Sequence, residues 1–234
     1  MQVVEIDQDF HNLIPSRFPT IDVYERIANG RSEEFAKIEA LTNPRLREKE
    51  RLTRNSAPVD QNNPRFKNWN HAPFAYPSPE GSTFYGPDTR VLELADELQT
   101  ALAISVRKRE IFLSCTVEPA TALEMRQLKR PVKGKFLDAT GWDGIGDKQR
   151  RLELGTAVVE AGHDGILFNP PERPSATAIA ILYPECLDHP IQVEHFKFIW
   201  NGQKMTVIYS FNSSSTGEGL DPAKLKEKAK VIAA

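Results

Sequence analysis

Hydrophobic positions in this chain change their spacing several times, and each change marks a new element. Ile21, Val23, Tyr24, Ile27 and Ala28 recur at helical intervals up to Asn29-Gly30. Phe35, Ile38 and Leu41 form a second apolar stripe. Ser32 is a suitable N-cap for that second helix, Glu33 and Glu34 suit the positive end of its dipole, and Asn43-Pro44 ends it. Residues 1–19 ahead of these helices read as an irregular lead, with Pro15 and Pro19 flanking Ser16-Arg17-Phe18. Residues 45–71 are polar. Their first half suits a solvated helix, while VDQNNPRFKNWNH carries too many Asn and Pro for regular structure.

The pattern is richest from Ala72 to Leu113. A loop rich in Pro, Gly and Ser, with turns set by Gly81, Gly86 and Pro87, passes through a short apolar segment into a helix. Leu94, Leu98, Ala101, Leu102 and Ser105 trace a core-facing stripe, with Ile104 at its edge. Arg107, Lys108 and Arg109 complement the helix C-terminus. A loop held by rigid elements in this way is a common cleft design.

Farther along, Ile111–Val117 predicts a strand from its apolar, β-favouring residues. Thr121–Arg130 reads as a polar connector or short helix, and Gly134–Ala139 as a strand. Asp147 caps a helix that Gly162 stops, with Leu152, Val158, Val159 and Ala161 as its apolar positions. Residues 165–168 are a short buried strand, 169–174 a proline-stiffened loop, and 176–183 a central strand covered on both faces. Residues 191–200 and 204–211 alternate around Asn201-Gly202, a strong hairpin signal. The tail from residue 212 begins flexible and ends in a charged helix. These elements predict an α+β domain, a mixed sheet with flanking helices and a helical N-terminal extension. The divisions are 1–60 for the extension, 61–211 for the domain and 212–234 for the tail.

Composition narrows the chemistry. The chain of 234 residues is 40% hydrophobic and 26% charged, in the range of soluble globular proteins. Its formal net charge of −2 offers no field for nucleic acid or an anionic membrane. No apolar run reaches the roughly 18 residues a bilayer span needs. The acidic N-terminus lacks signal-peptide features, so a cytoplasmic protein is expected. Cys115 and Cys186, far apart, read as reduced buried thiols. The five His have no ligand spacing, so no metal is expected. The three Trp read as packing residues.

Three blocks taken in order resemble the RES family, bacterial NAD-degrading toxins encoded beside a DNA-binding antitoxin, with a fold related to ADP-ribosyltransferases. The first is Ile14-Pro-Ser-Arg-Phe-Pro with Tyr24-Glu-Arg-Ile-Ala. The second is Pro73-Phe74, Gly81-Ser82 with Phe84, Thr100-Ala101 and Arg109-Glu110 before Phe112-Leu113. The third is Leu154-Gly155, Ala161-Gly162, Asp164-Gly165-Ile166, the Ala178–Pro184 strand and the late Trp200-x-Gly202. Together they span roughly residues 14–208.

The resemblance implies NAD as substrate or ligand, with no metal. It also implies where the chemistry would sit. The family's Arg after Gly-Ser falls at Thr83, its Tyr at Glu93, its helical Glu at Ile104 and its Ser at Pro170, with a further Arg at Glu172. None of the catalytic residue types is kept. Thr cannot supply the cation and bidentate fork of Arg, and Ile removes the carboxylate that would face an oxocarbenium-like transition state. The expectation is a pseudoenzyme with a binding or regulatory role. Its expected partners are an antitoxin, an active RES paralogue or a second copy of the chain. The residues expected to line the old cleft are Gly81, Ser82, Thr83, Tyr85, Arg17 and Arg26. The alternative is rewired chemistry, a NAD glycohydrolase, phosphorylase or ADP-ribosyltransferase, with Glu93 as carboxylate and Arg17, Arg26 or Arg90 holding phosphate. The bland reading of Glu93 is an exposed residue on a strand edge.

Overall fold

The computed structural model describes residues 1–16, 41, 43, 68–211 and 219–231. The helices expected between Ile21 and Leu41, and Arg17 and Arg26, lie outside the described residues. So do the side chains of Trp69 and His71.

The elements are β1 (Gln2–Pro15), α1 (Asn68–Ala75), β2 (Leu92–Ala95), α2 (Leu98–Ser114), β3 (Thr121–Ala139), α3 (Lys148–Glu160), β4 (Gly165–Phe168), β5 (Ala178–Ile181), β6 (Ile191–Trp200) and β7 (Met205–Ser210). They form the expected α+β domain around a mixed seven-stranded sheet in the order β1-β2-β5-β4-β3-β6-β7. β3 and β4 are parallel, and the other pairs are antiparallel.

The sheet curls back on itself, because β1 also pairs with β3 along its whole length. β1, β2, β5, β4 and β3 thereby enclose an apolar interior. Phe10, Leu92, Leu94, Ile179, Ile181, Val132 and Phe136 fill it, and Phe74 of α1 packs against them. Each of these side chains is at least nine-tenths buried. On the outer face α2 covers Leu13, Met125, Phe196, Phe198 and Trp200. A third cluster joins Phe84, Tyr85, Val158, Ile166, Phe168, Ala178 and Ala180. The alternation along β5 sends isoleucines inward and alanines outward, as a strand covered on both faces requires.

Several sequence expectations are corrected here. Residues 2–15 are a strand, not an irregular lead. Their acidic side chains pair across to the basic side chains of β3: Asp9–Lys129 at 2.7 Å, Asp7–Lys133 at 2.8 Å and Glu5–Lys135 at 3.8 Å. Residues 111–114 continue α2, so Arg107, Lys108 and Arg109 sit within the helix and not at its end. Leu94 belongs to β2. Thr121–Arg130 is the first half of β3. The register against β6 shifts between Arg126 and Leu128, and residues 125–128 are all buried, which breaks the period-2 signal. Cys115 is exposed, while Cys186 is buried as expected. Trp200 is 1% exposed and packs in the core.

Helix α3 starts and stops as expected, but Val159 and Ala161 are exposed and its inward face is Leu154, Gly155 and Val158. The Asp147 carboxylate accepts the Gln149 and Arg150 amides, and Gly162 takes φ +68° after the last turn. The 191–211 hairpin also forms as read, turning at Asn201-Gly202.

The segment from Gly219 to Val231 returns to the domain. In place of a charged helix it has a 3₁₀ turn over Pro222–Lys226, with Leu225 fully buried against α2. Two buried side chains hold its backbone. Gln99 Nε2 donates to the carbonyls of Leu225, Glu227 and Ala229, and its Oε1 accepts the Val231 amide. Arg173 donates to the carbonyls of Glu227 and Lys228. Gln99→Ala should remove about 1–3 kcal/mol of stability and expose amides 225–231 to hydrogen exchange. Unchanged protection there would show that Arg173 and Leu225 alone suffice.

Candidate functional site

The Gly81–Gly86 loop is built by short-range bonds. Gly81 N donates to Ser78 O and Ser82 N to Tyr85 O. Gly81 has φ +74°, a left-handed conformation that favours glycine, and a Cβ there would lie 2.6 Å from the Tyr85 carbonyl. The loop then rests on α3 at Gly155, where a Cβ would come 2.1 Å from the Phe84 carbonyl. Phe84 is fully buried, edge-on to Phe168 at 4.9 Å between ring centres, and tilted against Trp142.

This packing brings together residues separated in sequence. The Thr83 amide donates to Glu93 Oε1 at 2.7 Å, and Lys108 Nζ lies 2.7 Å from Glu93 Oε2. The Glu93 side chain is only 5% exposed, which overturns the reading of an exposed strand-edge residue, while Lys108 is 53% exposed. Glu93 is inside because it occupies the outward-facing position of β2 that the loop and α2 cover. Burial alone would raise its pKa. The Lys108 charge and the bonds from Lys108 and Thr83 overcome that and hold the carboxyl below its ordinary value. Glu93 is therefore an ionised carboxylate with both oxygens occupied.

Ile104 lies one helical turn before Lys108 and packs into both the α2 core and the cluster around Phe84 and Tyr85. Thr83, Glu93 and Ile104 thus converge. Pro170 is buried in the loop after β4, whose Arg173 makes an ion pair with Glu97 and donates to Thr100 Oγ1 at 3.1 Å, tying that loop to the start of α2. Lys108, Glu97 and Arg173 are the residues that sequence reasoning missed. Lys108 stood inside a basic triplet and Arg173 inside a proline loop, and neither pattern signals a buried partner.

Two hydroxyls in the loop find no partner among the described residues. Ser82 Oγ and Tyr85 OH are both buried and accept or donate no hydrogen bond. Burial, with nearby Tyr183 and Glu93, pushes the Tyr85 phenol well above its ordinary range, so it stays protonated. Buried polar atoms of this kind are uncommon. Among the described residues there is no group of three or more His, Cys, Asp and Glu arranged to hold a metal ion, and no helix long and apolar enough to cross a membrane.

Two outcomes test this geometry. Gly155→Ala should lower stability by about 1–3 kcal/mol through overpacking, seen as a lower thermal midpoint. An unchanged midpoint would mean that α3 and the loop can separate at no cost. Because its folded-state pKa is depressed, Glu93 contributes stability above the unfolded value of 4.5, and this is lost as pH falls through the folded value. Glu93→Gln should therefore be less stable than wild type at pH 7 by about 1–2 kcal/mol, with the gap closing as pH falls through the depressed folded-state value. A gap that persists into acid would remove the ionised carboxylate from the account.

Two comparisons with known proteins bear on this arrangement. Residues 62–201 match the family model of the RES domain. The chain is also 44% identical over 215 residues to the uncharacterized protein y4oC of Sinorhizobium fredii, a match covering 92% of each chain.

Proposed function

Because the chain belongs to the RES-domain family, we propose that it is a catalytically degenerate member, which binds at the old cleft and does not cleave NAD. The observation that carries this reading is the closed Thr83–Glu93–Lys108 arrangement at the family's catalytic positions. The family pattern places a cation on the loop and a carboxylate on the helix. Here the loop offers a neutral Thr83, the helix offers Ile104 with Lys108 one turn on, and the carboxylate has moved to the strand.

The consequence is electrostatic. A catalytic carboxylate must face the developing positive charge of the ribose with a free oxygen. Glu93 has one oxygen on the Thr83 amide and the other on Lys108, so its charge is spent inside the protein. Losing one oriented group costs about 10²–10³-fold in rate, and here the Arg, Tyr, Glu and Ser types are all replaced. Ser82 Oγ and Tyr85 OH are the groups that support retained binding, since neither has a hydrogen-bond partner among the described residues. The binding role is regulatory, with an antitoxin or an active RES relative as the partner class.

The rewired-enzyme reading has one observation in its favour: Glu93 is ionised and buried in the right region. NAD consumption by the purified protein separates the two. The expected outcome is a rate indistinguishable from buffer, together with a raised melting temperature if the cleft admits NAD. Consumption above buffer that Glu93→Gln abolishes would establish the rewired enzyme.

A further inference from the structure

A second hollow, argued without the cleft reading, opens beside the C-terminal half of α2, between it and the first residues of β3. It measures about 410 Å³, and its walls include Phe112, Leu113, Leu123, Met125, Pro15 and Arg109. The volume falls within the roughly 300–1,000 Å³ typical of small-molecule sites and would hold about a dozen waters at ~30 Å³ each. Leu113 and Met125 belong to the core and form a rigid apolar floor. Phe112, 53% exposed, contributes a large apolar surface that the described residues leave uncovered.

Arg109 is the anomaly in this apolar setting. It is half-buried, makes no ion pair among the described residues, and its Nε is buried without a hydrogen-bond partner. Burial depresses its pKa, and Glu80 acts on it only through space. A guanidinium presents a planar fork that matches a carboxylate, and burying its Nε without a partner is costly. Glu118 and Glu124 also line the hollow, but both are exposed, so water and salt screen their charges more than the charge of Arg109.

We propose that this hollow binds an apolar monocarboxylate of medium length, its carboxylate on Arg109 and its hydrocarbon part against Phe112, Leu113, Leu123 and Met125. The exposed glutamates at the rim disfavour a second anionic group, which restricts the ligand to one carboxylate with an uncharged body. Arg109 and Phe112 are brought to the same hollow because they lie three residues apart on α2, one helical turn.

The test uses the full chain and an eight-carbon series. Octanoate should raise the melting temperature by about 3 °C or more at ten times its half-saturating concentration, which should fall at about 0.1–1 mM. Octanamide, equal in shape but uncharged, should bind at least tenfold more weakly, and octylammonium should not bind. Arg109→Met should fold with a midpoint no lower than wild type, since it removes an unpaired charge, and should bind octanoate and octanamide alike. Arg109→Lys should retain the preference for octanoate at reduced affinity. The proposal is overturned if octanoate and octanamide bind wild type equally, if octylammonium binds better, or if no shift appears up to about 10 mM. A strongly destabilised Arg109→Met would overturn it too, by showing that the guanidinium already has a structural partner. None of these outcomes depends on whether NAD is cleaved.

Discussion

The antiparallel pairing of β1 with β3 is the constraint on which the rest depends. Without it the sheet would be open, with the apolar face of β2 and β5 exposed at an edge. With it, five strands close around Phe10, Leu94, Val132, Phe136 and Ile181, and the outer face is left for helices to cover. The 19-residue β3 makes this possible, since it is long enough to meet β6 over its first half and β4 at its end while β1 runs along the other side. The charge ladder between the strands favours this register. Each exposed pair contributes at most about 1 kcal/mol, but a one-residue slip would place every acidic side chain on the wrong face.

The candidate site inherits its geometry from that closure. β2 is a short strand inside the closed sheet, so Glu93 has a fixed position. α2 crosses the outer face, so Lys108 reaches Glu93 from the helix. The loop between α1 and β2 is pressed against α3 because Gly155 has no side chain to hold it away. Three elements thus meet at one carboxylate, whose charge is met by Lys108 and the Thr83 amide.

Much of the second half of the fold was legible in the sequence. The Asp147 cap, the Gly162 stop, the buried 178–181 strand and the Asn201-Gly202 hairpin each depend on local chemistry, and each formed as read. What was not legible depended on distant partners. Residues 2–15 carry alternating acids that look irregular until the lysines of β3 stand opposite them. Thr121–Arg130 lost its strand signal because both faces of residues 125–128 are covered and the register slips there. For the site, the resemblance located Thr83, Glu93 and Ile104, and the fold brings them together. The burial of Glu93 could not be read, because it depends on Lys108 arriving from a helix whose end had been placed too early. The tethering of the C-terminal segment was equally hidden, since Gln99 and Arg173 recognise backbone carbonyls, which carry no sequence signal.

The β1–β3 ladder also sets an order of events during synthesis. Pro15 pairs with Met125 and Gln2 with Asp138, so β1 leaves the ribosome more than a hundred residues ahead of its partner strand. At roughly 5–20 residues per second this is about 5–25 seconds as an unpaired edge. An apolar strand left that long would recruit other chains. Glu5, Asp7 and Asp9 make like charges meet when two nascent copies approach, so the side chains that later bond to lysines first serve as a guard against premature association.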